Sequence, residues 1–423
     1  MHSNQNTSSI QERLNQLCTY ISEEPVLSSL MNQGQLQSLL QAGFGQLLQA
    51  ALLKERQLHL AAEPQDRGNG FAPERVLHIG TTPVNLQVPR TREGFYPALL
   101  PKHQRHLPEA YHDLLADILL QAKSFKAALR TMQALGLSYC PEQLEQLLQE
   151  LDEQAKTFFT RPLHPDWLFL YIDAKIVQLK DEQQQVKKAV HFLVIGVSLR
   201  GEKELLLAQL FWGNEVLEAW RKVLIDLRNR GLTRVLLLIT DDFSGLAPLV
   251  ASLLPHSDHQ LCCVHLLRNA YRHLSPEDFS RFKQTWREIE VASSFESAKN
   301  RFLQLLDQLR PNNVAFVQHL QSRAEHYLTF MKYPRTIREQ IRSTNLPEGI
   351  NNLIENLRRN AGGHFHSERE ARVKLKLLAD QLYAGPWARI SPKLSAQLQT
   401  VLNMFKNRFE AELTTDQLLT QTF

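Results

Sequence analysis

The chain has 423 residues, of which 43% are hydrophobic and 22% are charged, with 48 Lys and Arg against 44 Asp and Glu. Its length excludes a single small module, and the near balance of charge permits a polyanionic partner without requiring one. The four cysteines (Cys18, Cys140, Cys262 and Cys263) form no C-x-x-C pair, which argues against a disulfide scaffold. With no signal-like start and no apolar run of about 18 residues, we expect a soluble cytoplasmic protein.

The first third of the chain alternates helical and extended patterns. Residues 10–60 are rich in Leu and Gln at helical spacing and end at the polar break "EPQDRGNG". Two alternating runs around "GTTP" predict a β-hairpin, which a basic, proline-broken arm follows. From His112 to Phe159 the pattern is helical again, with one helix ending at Gly136 and another beginning near Pro141. Such a pair suits a DNA-reading helix-turn-helix, and it equally suits any antiparallel helical pair.

The middle of the chain predicts a mixed sheet. The runs "WLFLYIDAKIVQL", "AVHFLVIGVSL" and "ELLLAQLFWG" are joined by turn-forming stretches, which favours an antiparallel meander. An amphipathic helix, the buried strand "TRVLLLIT", a second helix and a fifth strand in "HQLCCVHLL" complete the order βββαβαβ. A helical segment from about Asn269 to Arg342 interrupts this pattern, and "STNLPEGINNLIENLRRN" then predicts a capped helix.

Two acids stand at strand positions. Asp173 lies inside the first buried strand, where an unpaired carboxylate costs several kcal/mol. Asp241 ends the fourth strand, which neighbours the first in sheets of the ribonuclease H-like kind, so the two acids can converge at one edge. Because close carboxylates repel unless a cation joins them, we expect Mg²⁺ or Mn²⁺ between them.

A third acid is expected from a later helix, and Glu348 is the candidate. With two metal ions about 3.5 to 4 Å apart, three acids can activate a water or a 3′-hydroxyl for in-line attack on a phosphodiester. Structural interpretations remain open. Asp173 can face solvent on an edge strand, Asp241 and Asp242 can be turn or cap residues, and Asn345 with Glu348 matches a capping box.

Five motifs in this order resemble the bacterial Mutator-type insertion-sequence transposases, a DDE-type family: "YIDAKIV", "GVSLRGEKELL", "ITDDFSGL", "QLCCVHLLRNAYRHL" and "STNLPEGINNLIENLRR". With "HIGTTPVNLQVPRTREGFYP" upstream, the resemblance covers roughly residues 65–385. It implies an α/β fold with a ribonuclease H-like mixed sheet, interrupted by an all-helical insert and preceded by small helical DNA-binding modules. The implied activity is metal-dependent cleavage of DNA strands at the ends of the element, followed by strand transfer.

The resemblance also implies site residues. Asp173, Asp241 and Glu348 become the catalytic and metal-binding acids, with Asp242 and Glu355 as fallback choices. Family members usually carry an aliphatic residue before the glutamate, whereas this chain has Pro347, so the entry into that helix can differ locally. Residues expected near the active site and the scissile DNA are Cys262, His265, Arg268 and Asn269.

Basic residues are concentrated between Lys332 and Lys376, where ten Lys or Arg stand against five acids. Such an excess suits a channel for the DNA backbone, and Arg358, Arg359 and Arg372 are its candidate contacts; a solvated helix face is the alternative.

Three other features have two interpretations each. Cys262 with His265 can be half of a zinc site or part of the core, and His364 with His366 can bind metal or phosphate or form a polar turn. Trp286 can stack on an unpaired base or pack in the core.

We expect double-stranded DNA as partner, both the terminal inverted repeats and the target, together with a homodimer in the DNA complex and two Mg²⁺ or Mn²⁺ ions per active site. The rival functions are a metal-dependent nuclease or resolvase of the same fold and a non-catalytic DNA-binding regulator. The expected segments are residues 1–65 (helical module), 66–111 (hairpin and basic arm), 112–160 (helix-turn-helix-like domain), 161–268 (first part of the core), 269–342 (helical insert), 343–390 (second part of the core) and 391–423 (helical tail).

Overall fold

A computed structural model of the protein describes residues 33–79, 82–98, 100, 108–135 and 141–420. The chain divides into two compact units, one of Met1–Ile118 with Leu129–Tyr139 and the other of Leu119–Ala128 with Cys140–Phe423. Within the described residues, no helix combines the length and the apolar character that crossing a bilayer requires.

The first unit contains a long helix and two small antiparallel sheets. The hairpin predicted around "GTTP" is confirmed as β2–β3, although residues 80 and 81 of its turn lie outside the described residues. The β1–β4 pair was not predicted, because "GNGF" reads as part of a polar break. Leu52 of the helix packs with Leu77 and Leu86 in a small core. The elements are α1 (Gln33–Ala62), β1 (Gly68–Phe71), β2 (Arg75–Ile79), β3 (Thr82–Leu86) and β4 (Pro89–Thr91).

Three helices follow in the chain: α2 (Pro108–Gln121), α3 (Phe125–Ala134) and α4 (Pro141–Thr160). The predicted helical pair corresponds to α3 and α4. Its turn, residues 136–140, lies outside the described residues, as do residues 101–107 of the basic arm and residues 10–32 of the first predicted helix.

The second unit is built on a five-stranded mixed sheet with the order β7-β6-β5-β8-β9. β5, β6 and β7 are antiparallel neighbours, while β8 runs parallel to β5 and β9 runs parallel to β8. The predicted order βββαβαβ is confirmed. The elements are β5 (Asp166–Lys180), β6 (Val186–Ser198), β7 (Lys203–Trp212), α5 (Leu217–Asn229), β8 (Arg234–Thr240), α6 (Leu246–Leu253) and β9 (Asp258–Leu261).

The fifth strand is shorter than predicted. β9 ends at Leu261, and helix α7 (Cys263–His273) takes the rest of "HQLCCVHLL". The buried residues of α7, Cys263, Leu266 and Ala270, recur every three or four positions, as they do on one face of a helix. The prediction of a strand over these residues was therefore wrong, because a short apolar run does not by itself distinguish the two periods.

The two faces of the sheet are covered differently. Leu170 and Ile172 of β5 join a core with Trp220 of α5 and Leu249 of α6. The alternate residues of β5 point to the opposite face, since side chains along a strand alternate. On that face, helix α13 (Asn345–Asn360) packs across β5 and β6.

The segment between β9 and α13 is helical throughout, as predicted. Its first helix, α7, spans the expected border at residue 269. Trp286 is 1% exposed and packs with Phe282 and Phe302, which confirms the core interpretation. The remaining helices are α8 (Pro276–Glu290), α9 (Phe295–Leu309), α10 (Val314–Ser322), α11 (Ala324–Leu328) and α12 (Arg338–Ile341), and after α13 come α14 (Glu368–Ala384), α15 (Pro392–Ser395) and α16 (Leu398–Thr420).

Replacing Gly196 of β6 with alanine should destabilise this unit. The added Cβ would lie 2.5 Å from Trp167 Cε3 and 2.8 Å from Leu206 Cδ1, so two buried side chains would have to move. We expect the free energy of unfolding to fall by about 1 to 3 kcal/mol, measured by chemical denaturation. Gly349→Ala is the control, because its added Cβ within α13 would have no heavy atom within 4 Å apart from adjacent residues and the backbone of its own helix. An equal loss in both variants would contradict this packing argument.

Candidate active site

The ends of β5 and β8 bring two acids to one edge of the sheet. Tyr171 of β5 pairs with Ile239 of β8 in a parallel register, and Asp173 and Asp241 each follow two residues later. The predicted adjacency of the first and fourth strands is thus confirmed. Asp173 is only 5% exposed and lies on the face that α13 covers.

Helix α13 carries Glu348 in its first turns. The Glu348 backbone N–H donates to the carbonyl of Thr344, the N-cap residue, at 2.9 Å. Pro347 is accommodated because the first turn needs no N–H donor there. The capping-box interpretation of Asn345 and Glu348 was wrong. The Glu348 carboxylate instead accepts two hydrogen bonds from Arg268, each 3.1 Å long.

Thr344, at the entrance of α13, links three elements. Its Oγ1 lies 3.5 Å from Asp241 Oδ1 and 3.3 Å from the sulfur of Cys262, which precedes α7. Its hydroxyl makes no capping hydrogen bond. Cys262 has no exposed surface, and its sulfur also accepts a hydrogen bond from the Thr344 backbone N–H at 3.4 Å.

Helix α7 presents two cationic side chains to the acids, because His265 and Arg268 are three residues apart on one helical face. His265 Nδ1 lies 2.6 Å from Asp241 Oδ1 and 3.9 Å from Glu348 Oε1. Arg268 Nη1 lies 3.3 Å from His265 Nε2. Asn269, the next residue, is half-buried.

The electrostatics of the site reflect this crowding. Burial, followed by the charge of Asp241, raises the pKa of Asp173 to about 7. Burial alone would lower the pKa of His265, but its contacts with Asp241 and Cys262 outweigh that effect and raise the pKa to about 10. The imidazolium of His265 therefore counters the negative charge of the acids at neutral pH.

The two fallback acids are engaged elsewhere. The buried carboxylate of Asp242 accepts hydrogen bonds from His319 (2.6 Å), Arg323 (2.7 Å) and Tyr327 (2.8 Å), all from the helical segment. Glu355 is ion-paired with two arginines of its own helix, and the hydrogen bond from Arg358 holds the pKa of Glu355 at about 2.

Sequence reasoning missed Asn351, which donates a hydrogen bond from Nδ2 to Asp173 Oδ2. Asn351 is buried and lies three residues after Glu348, so both side chains share one face of α13. The buried His191 of β6 lies near Asn351. A polar residue at the i+3 position of the buried face is the signal that could have revealed it.

Replacing Asn351 with leucine should weaken divalent-metal binding about 10- to 100-fold, because Asp173 would lose the donor that orients it. Mn²⁺ affinity, measured from the electron paramagnetic resonance signal of the free ion, checks this without reference to catalysis. Asn352→Leu is a matched control, since Asn352 is the neighbouring, exposed asparagine of the same helix. Equal Mn²⁺ affinity in both variants would show that Asn351 does not position the acid.

Two ligand sets meet in this region. Asp173, Asp241 and Glu348 offer carboxylate oxygens, the donors that Mg²⁺ and Mn²⁺ prefer. Asp241, Cys262 and His265 have ligand atoms within 4.8 Å of one another, and no other group of three such residues occurs among the described side chains. A structural zinc site normally has four protein ligands, so this mixed set is incomplete for zinc.

Most of the basic residues between Lys332 and Lys376 form ion pairs. Arg372 donates to Asp152 at 2.8 Å and 3.2 Å, and both Arg358 and Arg359 contact Glu355. Arg359 remains 70% exposed, whereas Arg358 is 19% exposed. Some of these partners are acids from distant parts of the sequence. Counting charges between Lys332 and Lys376 alone therefore overstates the free positive charge. Further pairs are Lys332–Asp258, Arg342–Glu290, Arg369–Glu145, Lys374–Glu370 and Lys376–Asp380.

The chain is similar in sequence to known transposases. The family model described as "Transposase, Mutator family" matches residues 5–384. The transposase for insertion sequence element IS1201 of Lactobacillus helveticus is 27% identical over 348 residues, covering 78% of this chain and 91% of that protein. The transposase for ISRM5 of Rhizobium meliloti (strain 1021) is 26% identical over 315 residues, covering 73% of this chain and 79% of that protein.

Among solved structures, a Drosophila P element transposase strand transfer complex aligns with 72% of this chain and 92% of its own chain. The sequence identity is 12% and the TM-score is 0.27. A score that low does not establish a common fold.

Proposed function

The chain belongs to the Mutator family of transposases, and from this premise we propose that it is the DNA transposase of an insertion sequence. In this proposal it binds the terminal inverted repeats of its element, cleaves the DNA strands at the ends and joins them to a target. The core is proposed to be ribonuclease H-like, which the strand order β7-β6-β5-β8-β9 and the strand directions support.

One observation carries the assignment of the active site. Asp173, Asp241 and Glu348 come from two adjacent strands and a helix across the sheet. The carboxylates of Asp241 and Glu348 contact His265, and Glu348 also contacts Arg268. Asp173 lies close enough for the charges of Asp241, His265 and Glu348 to shift its pKa. A buried acid with a raised pKa, close to two other acids at the edge of a sheet, is typical of a reactive site. A purely structural core rarely contains such a cluster, because burying several carboxylates is unfavourable.

In the proposed chemistry, the metal ions and the protein side chains have different roles. Two divalent ions, Mg²⁺ or Mn²⁺, held by these three acids would activate the attacking water or 3′-hydroxyl and stabilise the leaving oxygen. Asn351 fixes the direction of Asp173, and Arg268 fixes Glu348 through two parallel hydrogen bonds. His265 adds a positive charge beside Asp241, where the non-bridging oxygens of a phosphodiester would lie.

The proposed partner is double-stranded DNA, both the element ends and the target. Helices α2 to α4, with the hairpin β2–β3 before them, are proposed to recognise the ends, and Arg359 is the most exposed of the proposed backbone contacts on α13. A homodimer would pair two ends, which the mass of the DNA complex in solution would test.

A strand-transfer assay separates this proposal from its rivals. The purified protein is given a pre-cleaved end with a free 3′-hydroxyl, a supercoiled target plasmid and Mg²⁺. A transposase joins the end to the plasmid, whereas a nuclease or resolvase of the same fold gives no joined product. A non-catalytic regulator would bind the end and leave both DNAs intact.

Metal affinity should depend on pH through Asp173. Its carboxyl must lose a proton to bind a metal ion, and its pKa of about 7 means that this proton is bound below neutrality. Mn²⁺ affinity should therefore rise up to tenfold per pH unit from about pH 5.5 to pH 7 and level off above that. Titrations over this range check it, with Asp173→Asn as the variant that should show weaker affinity and a flatter pH dependence. A wild-type affinity independent of pH would contradict the elevated pKa.

A further inference from the structure

An open groove lies between helices α7 and α8, next to the candidate active site. It has a volume of about 530 Å³. Tyr271, on its wall, is 70% exposed, the largest exposed fraction among the large hydrophobic residues of the described chain. Its ring is braced by Phe279, with centroids 5.2 Å apart and planes at 74°. The lining residues are Val264, Leu267, Arg268, Tyr271, Arg272, Phe279 and Lys283.

The charge of the groove has one sign. Arg268, Arg272 and Lys283 line it, and none of its lining residues is acidic. Neither Arg272 nor Lys283 forms an ion pair with any residue that the structure describes. Most of the cations on α13 and α14, by contrast, are held by carboxylates. This surface therefore keeps positive charge available for a partner.

The groove is continuous with the acids. Arg268 lines it on one side and holds Glu348 through both carboxylate oxygens. Tyr271 and Arg272 follow Arg268 by three and four residues, which places them on the same side of α7, about one turn further along. A DNA strand that was bound at Glu348 and continued along α7 would reach Tyr271 within about one or two nucleotides.

We propose that this groove binds an unpaired nucleotide of the DNA strand beside the cleaved phosphodiester, with its base on the Tyr271 ring and its phosphates at Arg272 and Lys283. The inference rests on the proposed transposase function and adds a substrate subsite to it. An exposed aromatic ring among unopposed cations fits a base with its phosphates, because every base offers a flat face for stacking.

A duplex fits the groove less well. Bases within a duplex are already stacked on their neighbours, so a duplex would use the cations and leave the exposed tyrosine ring without a partner. An apolar peptide would contact the ring and leave the charges of Arg272 and Lys283 without a partner. From the sequence, Trp286 was a candidate for base stacking, but its side chain is buried. Tyr271, in contrast, has an exposed ring.

The test uses the full chain and a short, thymidine-rich single-stranded oligonucleotide that carries one 2-aminopurine. Stacking quenches the fluorescence of 2-aminopurine, so wild type and Tyr271→Phe should quench it equally. Tyr271→Ala should lose the quenching and bind the single strand between about 5-fold and 100-fold more weakly. Arg272→Ala and Lys283→Ala should each reduce the log–log salt slope of binding by about 0.7. Arg200→Ala, which removes an exposed arginine from the β6–β7 turn, should leave that slope unchanged.

Two results would overturn the subsite. One is unchanged quenching and affinity in Tyr271→Ala. The other is an equal loss of affinity for a matched blunt duplex, which would make the groove a contact for paired DNA. Cleavage of duplex element ends by the wild type is measured in parallel. Its absence, with Tyr271-dependent quenching intact, would refute the proposed function and leave the groove as a single-strand site.

Discussion

Asp173→Asn should lower the rate of Mg²⁺-dependent DNA strand cleavage at least about a thousandfold, which corresponds to about 4 kcal/mol of lost transition-state stabilisation. The substitution keeps the size of the side chain and its place under Asn351 but removes the charge that a metal ion needs. Asp241→Asn and Glu348→Gln should have effects of similar size, since the three acids are proposed to act as one unit.

Two controls make this prediction specific. Glu355→Gln changes the other acid of α13 that could replace Glu348, and Asp242→Asn changes the neighbour of Asp241. Both variants should retain binding of Mn²⁺. If Glu355→Gln abolishes cleavage while Glu348→Gln retains it, the third acid has been assigned to the wrong residue.

Asp242→Ala should destabilise the second unit by about 3 kcal/mol, because it removes a buried carboxylate that three donors share. His319, Arg323 and Tyr327 come from α10, α11 and the residue between them, so Asp242 anchors these helices to the end of β8. The loss should be visible by chemical denaturation, and amide hydrogen exchange should show faster exchange in α10 and α11.

Asp242→Asn serves as the milder partner of that variant, because its amide oxygen still accepts the hydrogen bond from Tyr327. We expect a smaller loss of stability for it. Unchanged amide exchange in α10 and α11 of Asp242→Ala would mean that the helices are held by apolar packing alone. Asp241→Asn should lose metal affinity with little change in stability. The contrast distinguishes the structural role of Asp242 from the metal-binding role proposed for Asp241.

The main sheet was predictable from sequence because its strands are long, apolar and separated by clear turns. β5 and β8 follow their predicted runs to within about a residue. Their adjacency, which was expected for a βββαβαβ sheet of the ribonuclease H-like kind, was enough to pair Asp173 with Asp241. The β1 strand and the end of β9 were not predictable, since "GNGF" is short and exposed and "CCVHLL" fits a strand or a helix equally well.

The acids of the proposed site were selected from the sequence, whereas most of the contacts around them were not predicted. Glu348 was selected by order and resemblance, but its contact with Arg268 depends on a packing of α7 against α13 that no local pattern encodes. Asn351 was missed for the same reason. The pairing of the cations on α14 was not predicted, because Glu145 and Asp152, the partners of Arg369 and Arg372, lie more than 200 residues away in the sequence.

Anomalous diffraction from crystals grown with Mn²⁺ tests the central claim most directly. We predict anomalous peaks about 2.1 Å from carboxylate oxygens of Asp173, Asp241 and Glu348. A single peak bound by Asp241, Cys262 and His265, with Asp173 and Glu348 outside its coordination sphere, would contradict the three-acid site.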